Sequence, residues 1–145
     1  MRIRKATLND VSELWKMQSL FLAAPFKESD VAYEIKGNPT SQFYVMVEKD
    51  EIVGFIDFWI TFDSATIAQL AVKKEYQRQG IAQKLLEKSI EILIKNEVIF
   101  YTLEVRESNV PAFNFYVKNG FEKVCIKPHY YDNGENAIYM LKGLV

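Results

Sequence analysis

A carboxylate and a tyrosine in the C-terminal half of the chain have the residue types that proton transfer needs. Glu104 lies near the end of an apolar run, "VIFYTLEV", where a carboxylate is costly unless it is paired or partly protonated. Asn109 and Tyr116 follow on a segment with helical spacing. A carboxylate can accept a proton and a tyrosine can donate one. Plainer roles fit as well: a solvent-facing Glu104, a helix cap at Asn109 and a core aromatic at Tyr116.

A second stretch, "LAVKKEYQRQGIAQKLLEKS" (residues 70–89), has the features of a phosphate-binding turn. A strand-like run ends there, Gly80 follows, and a helical pattern begins at once. The start of a helix exposes unpaired N–H groups and a positive dipole, and a glycine allows close approach. Arg78 adds charge, although Gly80 could be a plain turn residue and Arg78 a solvated charge. The glycine-rich motifs of nucleoside triphosphate and dinucleotide sites are absent from the sequence.

The elements that must position these residues can be predicted from periodicity and turn residues. A short strand and a helix open the chain, and three strands follow as an antiparallel meander with a hairpin at Lys49–Asp50. A helix from Ala82, a buried strand, a helix that ends at Asn119–Gly120 and two closing strands complete the order. Both strand directions and two helical crossovers are implied, so the fold class is α+β with one mixed sheet.

Composition limits the function classes. The chain has 145 residues, which predicts a single domain over 1–145, and a net charge of -1 does not favour nucleic acid. No run is apolar and long enough to span a membrane, and the N-terminus lacks a signal sequence. Cys125 is the only cysteine and His129 the only histidine, so we expect no Cys/His metal site. A cytoplasmic location is expected.

The turn at Gly80 resembles the coenzyme A loop of the GCN5-related N-acetyltransferases. "QRQGIA" fits that family's Arg/Gln-x-x-Gly-x-Gly/Ala pattern, and the predicted strand order matches the family over the whole chain. The resemblance implies a mixed, mostly antiparallel sheet flanked by helices, and acetyl-coenzyme A as cosubstrate with no metal. The implied cofactor residues are the strand Leu70, Ala71 and Val72 along the pantetheine arm, and the loop Gln77, Arg78, Gln79, Gly80, Ile81, Ala82 and Gln83 at the pyrophosphate.

The later segment resembles a subfamily, the ribosomal-protein-alanine (RimI-type) N-acetyltransferases. "LEVRESNVPAFNFYVKNGF" fits L-E-V-R-x-S-N-x-x-A-x-x-x-Y-x-x-x-G-F. The resemblance implies that Glu104 accepts a proton, Tyr116 donates one and Asn109 touches acetyl-coenzyme A. The tail "HYYDNGENAIYM" also matches, with His129 for the usual Asn and Asn136 for an acidic residue. The resemblance implies a ribosomal protein N-terminus as the partner, with Phe26 (for Trp), His129, Tyr130 and Tyr131 as substrate contacts.

The chemistry of the reaction favours direct transfer in a ternary complex. An α-amino group, with a reference pKa of about 7.7–8.0, needs only about 1 kcal/mol to lose its proton at neutral pH. One carboxylate is therefore an adequate base, and a tyrosine can protonate the leaving thiolate. An acyl-enzyme at Cys125 is not expected. Two alternatives stay open: an acetyltransferase for small amines or lysine, and a non-catalytic acetyl-coenzyme A-binding module, which would need neither Glu104 nor Tyr116.

Overall fold

The structure, a computed structural model that describes residues 1–20 and 27–145, contains within those ranges one seven-stranded sheet and four α-helices. The strands are β1 (Arg2–Lys5), β2 (Ser41–Glu48), β3 (Glu51–Thr61), β4 (Ser64–Val72), β5 (Phe100–Arg106), β6 (Glu122–Lys127) and β7 (Ala137–Gly143). The helices are α1 (Val11–Ser19), α2 (Glu28–Ala32), α3 (Ile81–Lys95) and α4 (Val110–Lys118). Two 3₁₀ turns, Leu8–Asp10 and Lys74–Tyr76, and a π turn, Tyr33–Gly37, connect them.

The strands lie in the order β1-β2-β3-β4-β5-β7-β6. All neighbours are antiparallel except β4 and β5, which are parallel. The predicted mixed, mostly antiparallel sheet is therefore confirmed. The predicted hairpin between β2 and β3 is also present, with Lys49 at φ 51° and Asp50 at φ 63°. Two consecutive positive φ values are typical of a type I′ turn, whose twist matches that of the flanking strands.

The sheet opens in its middle, between β4 and β5. These strands pair over a short segment only, residues 64–66 of β4 with residues 100–102 of β5. Beyond this point β4 pairs only with β3 among the described strands, so one backbone edge of residues 67–72 has no strand partner in that part of the chain. A bulge at Ala68, between the partners of Asp57 and Phe58, accompanies the parting. The opening places the end of β4 beside the start of α3.

Strand β3 runs through the centre of the core, and both of its faces are covered. Residues 52–58 are all buried. Because side chains alternate along a strand, Ile56 and Phe58 pack with α3 and β5, whereas Phe55 packs on the other face with α1. Asp57 lies within this apolar run and is only 1% exposed. A buried carboxyl group at this position requires polar partners.

Helix α3 lies unusually close to β3 at one glycine. A Cβ atom on Gly54 would meet Ile81 Cγ2 at 3.0 Å and Leu85 Cδ1 at 3.3 Å. Because Ile81 is the first residue of α3, this contact fixes where the helix begins relative to the sheet. The end of β4 and the first turn of α3 are thereby held together.

The described ranges, 1–20 and 27–145, lack two kinds of feature. No helix in those ranges is long and apolar enough to cross a membrane. The same ranges contain no group of three or more His, Cys, Asp or Glu residues arranged to hold a metal ion.

Candidate active site

A cleft of about 680 Å³ lies where β4 parts from β5, between the start of α3 and α4. We call it the donor cleft. Of the predicted cofactor residues, all except Gln79 and Asn109 line this cleft. Four further lining residues were not predicted from the sequence: Tyr76 from the loop, and Pro111, Ala112 and Phe115 from α4.

The loop before α3 contains two residues with a left-handed backbone. Arg78 has φ 65° and Gly80 has φ 77°, both in the left-handed region. The amide of Lys84 bonds to the Gly80 carbonyl at 3.0 Å, so the N–H groups of residues 81–83 precede the helical ladder. Gln77 Nε2 donates to the Val72 carbonyl at 3.1 Å and ties the loop to β4. Successive free N–H groups at a helix start suit an anion.

Gly80 borders open space in the donor cleft. A Cβ atom on Gly80 would meet nothing within 4 Å. The residue is therefore glycine because of its positive φ, and the space in front of it belongs to the cleft. Any steric clash of a larger residue would be with a bound molecule.

Asn109 has a clear structural role in the first turn of α4. Its side-chain oxygen accepts a hydrogen bond from the Ala112 amide at 3.2 Å, which is the N-cap arrangement. The plainer of the two sequence interpretations is thus present. The additional contact with acetyl-coenzyme A stays a prediction.

Tyr116 projects from α4 into the donor cleft. It is 9% exposed and makes edge-on contacts with Phe115 and Phe121, at centroid distances of 5.2 and 5.5 Å. Burial raises the pKa of Tyr116 well above its ordinary value of 10.0. The phenol is therefore protonated near neutral pH and is a weaker acid than an ordinary tyrosine.

A second pocket of about 390 Å³ is lined by the part of β4 that precedes the donor cleft. We call it the acceptor pocket. Its lining includes Glu104 together with Tyr130 and Tyr131, so the structure brings three predicted site residues together. Residues 66–69 of β4 line the acceptor pocket and residues 70–72 line the donor cleft. The two cavities are therefore adjacent along one strand, with Glu104 in one and Tyr116 in the other.

Glu104 is paired with a lysine that sequence reasoning missed. Lys127 Nζ lies 2.7 Å from Glu104 Oε1, and the side chain of Glu104 is 23% exposed. This hydrogen bond raises the pKa of Lys127 above its ordinary value. Lys127 also lies over the Tyr139 ring at 4.6 Å. Only the position of β7 between β5 and β6 brings Lys127 to Glu104, and no local pattern signals that.

The two other predicted substrate contacts have different outcomes. His129 does not line the acceptor pocket; its backbone N–H donates to Asn136 Oδ1 at 3.1 Å, so the two departures from the family pattern bond to each other. Its substrate role stays a prediction. Phe26 lies outside the described residues. Nearby, the Arg106 guanidinium stacks on Tyr131 at 3.9 Å and pairs with Glu135 at 3.2 Å, which holds this loop in place.

The far wall of the acceptor pocket contains a pair of carboxyl groups, Glu34 and Asp57, that sequence reasoning also missed. Ser41 Oγ donates to Asp57 Oδ1 at 2.7 Å, and Trp59 Nε1 donates to Glu34 Oε1 at 3.1 Å. Burial and the adjacent Glu34 raise the pKa of Asp57 to about 8. The sequence did contain a signal for Asp57, which is the one acidic residue inside the apolar run of β3.

Comparison with known proteins gives a consistent result. The model of the acetyltransferase (GNAT) family matches residues 8–121. The ribosomal protein bS18-alanine N-acetyltransferase of Escherichia coli K12 is 36% identical over 100 residues, which cover 67% of this chain and 68% of that protein. An N-alpha-acetyltransferase of Sulfurisphaera tokodaii is 34% identical over 153 residues, which cover 96% and 90%.

A solved structure agrees with these relatives. The crystal structure of the Escherichia coli ribosomal-protein-S18-alanine N-acetyltransferase superposes with a TM-score of 0.89 at 29% identity, and the match covers 99% of this chain and 93% of that one. The predicted fold is confirmed over nearly the whole length. The family match spans the loop before α3, β5 and α4, which carry the candidate site. The chain therefore belongs to the acetyltransferase (GNAT) family.

Proposed function

We propose that this protein transfers the acetyl group of acetyl-coenzyme A to the N-terminal α-amino group of a ribosomal protein, bS18 or its counterpart, that begins with alanine. The observation that carries the proposal is the placement of Glu104 and Tyr116 in two cavities that are adjacent along β4. Relatives named for the same reaction support the choice of acceptor.

The donor cleft supplies the groups that acetyl-coenzyme A requires. The N–H groups of residues 81–83 and the Arg78 side chain suit an anion such as the pyrophosphate. The open backbone edge of residues 70–72 fits the amide groups of the pantetheine arm, which can add as one more strand partner. A backbone N–H of this edge can also polarise the thioester carbonyl.

Glu104 receives the proton of the acceptor amine, directly or through water. At neutral pH an α-amino group loses its proton for about 1 kcal/mol, whereas a lysine side chain requires roughly 4.6 kcal/mol. A single carboxylate that is already engaged by Lys127 suits the easier substrate. The incoming ammonium group takes over the position of Lys127 Nζ at Glu104.

Tyr116 supplies the proton that completes the reaction. The amine nitrogen forms a bond to the acetyl carbon, and the bond from that carbon to the coenzyme A sulfur breaks. The sulfur leaves as a thiolate and takes the phenolic proton of Tyr116, which the buried setting has kept in place. The ammonium group loses two protons in all, both by way of Glu104: one reaches the Tyr116 phenolate through solvent, and the other is released. The products are therefore the acetylated peptide, free coenzyme A and one proton.

The proposal is tested with a panel of acceptors. Purified protein is incubated with acetyl-coenzyme A and a peptide with N-terminal alanine, a blocked peptide with one internal lysine, or spermidine, and free thiol is followed. We expect rapid turnover only with the free N-terminus. Faster reaction of the blocked lysine peptide or of spermidine would show that the acceptor is different.

A further inference from the structure

The acceptor pocket contains a polar atom without a partner. Gln18, at the end of α1, is 3% exposed, and its Nε2 donates to Gln69 Oε1 at 2.8 Å. Its own Oε1 is buried and has no hydrogen-bond partner among the described residues. An unpaired buried acceptor is unfavourable by about 1–3 kcal/mol, so such an atom normally bonds to another protein group, to water or to a ligand. Gln18 lines the pocket, and the missing partner is a donor.

The Glu34–Asp57 pair lies in the wall of the same pocket and adds one negative charge, on Glu34, because the raised pKa of the buried Asp57 keeps that group protonated near neutral pH. Asn38 Nδ2 and Trp59 Nε1 both donate to Glu34, at 2.8 and 3.1 Å, which favours its ionised form. No lysine or arginine is among the described residues that line this pocket. The ring faces of Trp59 and Tyr130 complete a setting of acceptors and aromatic groups, which suits an N–H-bearing cation.

We propose that the Glu34–Asp57 pair and Gln18 form a subsite for a lysine or arginine side chain on the residue that follows the acetylated one. The inference rests on the proposed function, since it places the acceptor amine at Glu104. It adds that the protein prefers acceptors with a cationic second residue. Three residues outside the reacting centre would determine this preference.

The spacing of the strands supports this assignment. Asp57 is on β3 and Glu104 is on β5, with β4 between them. Two strand spacings of about 4.8 Å put the two backbones roughly 10 Å apart, or more where β4 and β5 part. An amine at Glu104 and the side chain of the next residue cover such a distance, because consecutive Cα atoms are about 3.8 Å apart and lysine and arginine have long stems.

A purely structural role for the pair makes a different prediction. The pair also joins the π turn at 33–37 to β3, and loss of that link would slow all acceptors alike. A recognition role affects the ratio of rates for two peptides. The ratio is independent of how much protein is folded.

The test compares two alanine peptides that differ only in the second residue, lysine or the neutral isostere norleucine. We measure kcat/KM for each with the wild type, Glu34→Gln, Asp57→Asn and Gln18→Leu. The wild type should prefer the lysine peptide about tenfold or more, the value of one charge-assisted hydrogen bond. Glu34→Gln, which removes the charge of the pair, should reduce the preference below about threefold. Asp57→Asn, which replaces a protonated carboxyl group, and Gln18→Leu should each reduce it in part. Asp63→Asn removes an equal charge from the exposed β3–β4 turn and should keep the wild-type ratio.

Two results would overturn the inference. The first is a wild-type ratio near one. The second is a preference for lysine that Glu34→Gln and Asp57→Asn leave intact. Failure of the proposed function differs from both, because fragmentation in a mass spectrometer would then find no acetyl group on the α-amino group of either peptide, while a lysine side chain or spermidine is acetylated; the inference would fall with it.

Discussion

The carboxyl group of Asp57 should make the stability of this protein depend on pH in an unusual direction. Burial and Glu34 raise the pKa of Asp57 from its ordinary value of 3.8 to about 8. Between these values the folded protein holds a proton that the unfolded chain has lost. The free energy of unfolding therefore falls as pH rises through this window, and it levels off above the folded pKa.

The magnitude follows from the size of the shift. The pKa of Asp57 in the folded protein lies about four above its unfolded value. At about 1.36 kcal/mol for each pKa unit, the free energy of unfolding can change by roughly 5 kcal/mol at most. Glu34 shares the proton, so the observed effect should be several kcal/mol at most. Asp57→Asn removes the titration, while its side-chain oxygen can still accept from Ser41. The variant should gain stability relative to the wild type as pH rises.

Urea unfolding at about pH 5, 7 and 9 measures this difference directly. The free energy of unfolding of Asp57→Asn minus that of the wild type should increase from about pH 5 to about pH 8 and then stay constant. Glu34→Gln should weaken the pH dependence without abolishing it, because burial is the larger cause of the shift. Parallel stability curves for the wild type and Asp57→Asn across this range would refute the account of a buried, protonated Asp57.

Four further substitutions test other parts of the structure. Gly80→Ala and Gly134→Ala both place a side chain at positive φ, 77° and 85°, and each should destabilise by about 1 kcal/mol in urea. Only Gly80→Ala should also weaken the thermal stabilisation by acetyl-coenzyme A; equal weakening in both would contradict the loop assignment. Gly54→Ala should destabilise by about 1–3 kcal/mol, since its Cβ would lie 3.0 Å from Ile81 Cγ2; an unchanged urea midpoint would be contrary evidence. Cys125→Ser should retain the full rate of acetyl transfer, and loss of turnover would point to an acyl-enzyme.

Local sequence patterns predicted the parts of the site that are local in the chain. The end of β4, the turn with Gly80 and the start of α3 are consecutive, so turn chemistry and periodicity were sufficient there. The same holds for Asn109 as the cap of α4, whose partner Ala112 is three residues away. Family resemblance, rather than spacing, pointed to Glu104 as a base.

The partners of the charged groups could not be predicted in this way. Lys127 reaches Glu104 only because β7 inserts between β5 and β6, which depends on the strand order of the whole sheet. Glu34 reaches Asp57 because the π turn packs against β3. Gln18 is an ordinary polar residue in the pattern of α1, and only its position in the acceptor pocket distinguishes it. Such pairings are set by tertiary contacts, which carry no periodic signal.

The most direct test of the central claim locates the acetyl group on one peptide that offers both kinds of amine. The peptide begins with a free alanine and contains an internal lysine, and fragmentation in a mass spectrometer assigns the modification. The wild type should acetylate the α-amino group alone, while Glu104→Gln and Tyr116→Phe should slow this reaction about 10²–10⁴-fold and still bind acetyl-coenzyme A. Acetyl on the lysine, or wild-type rates in both variants, would contradict the account.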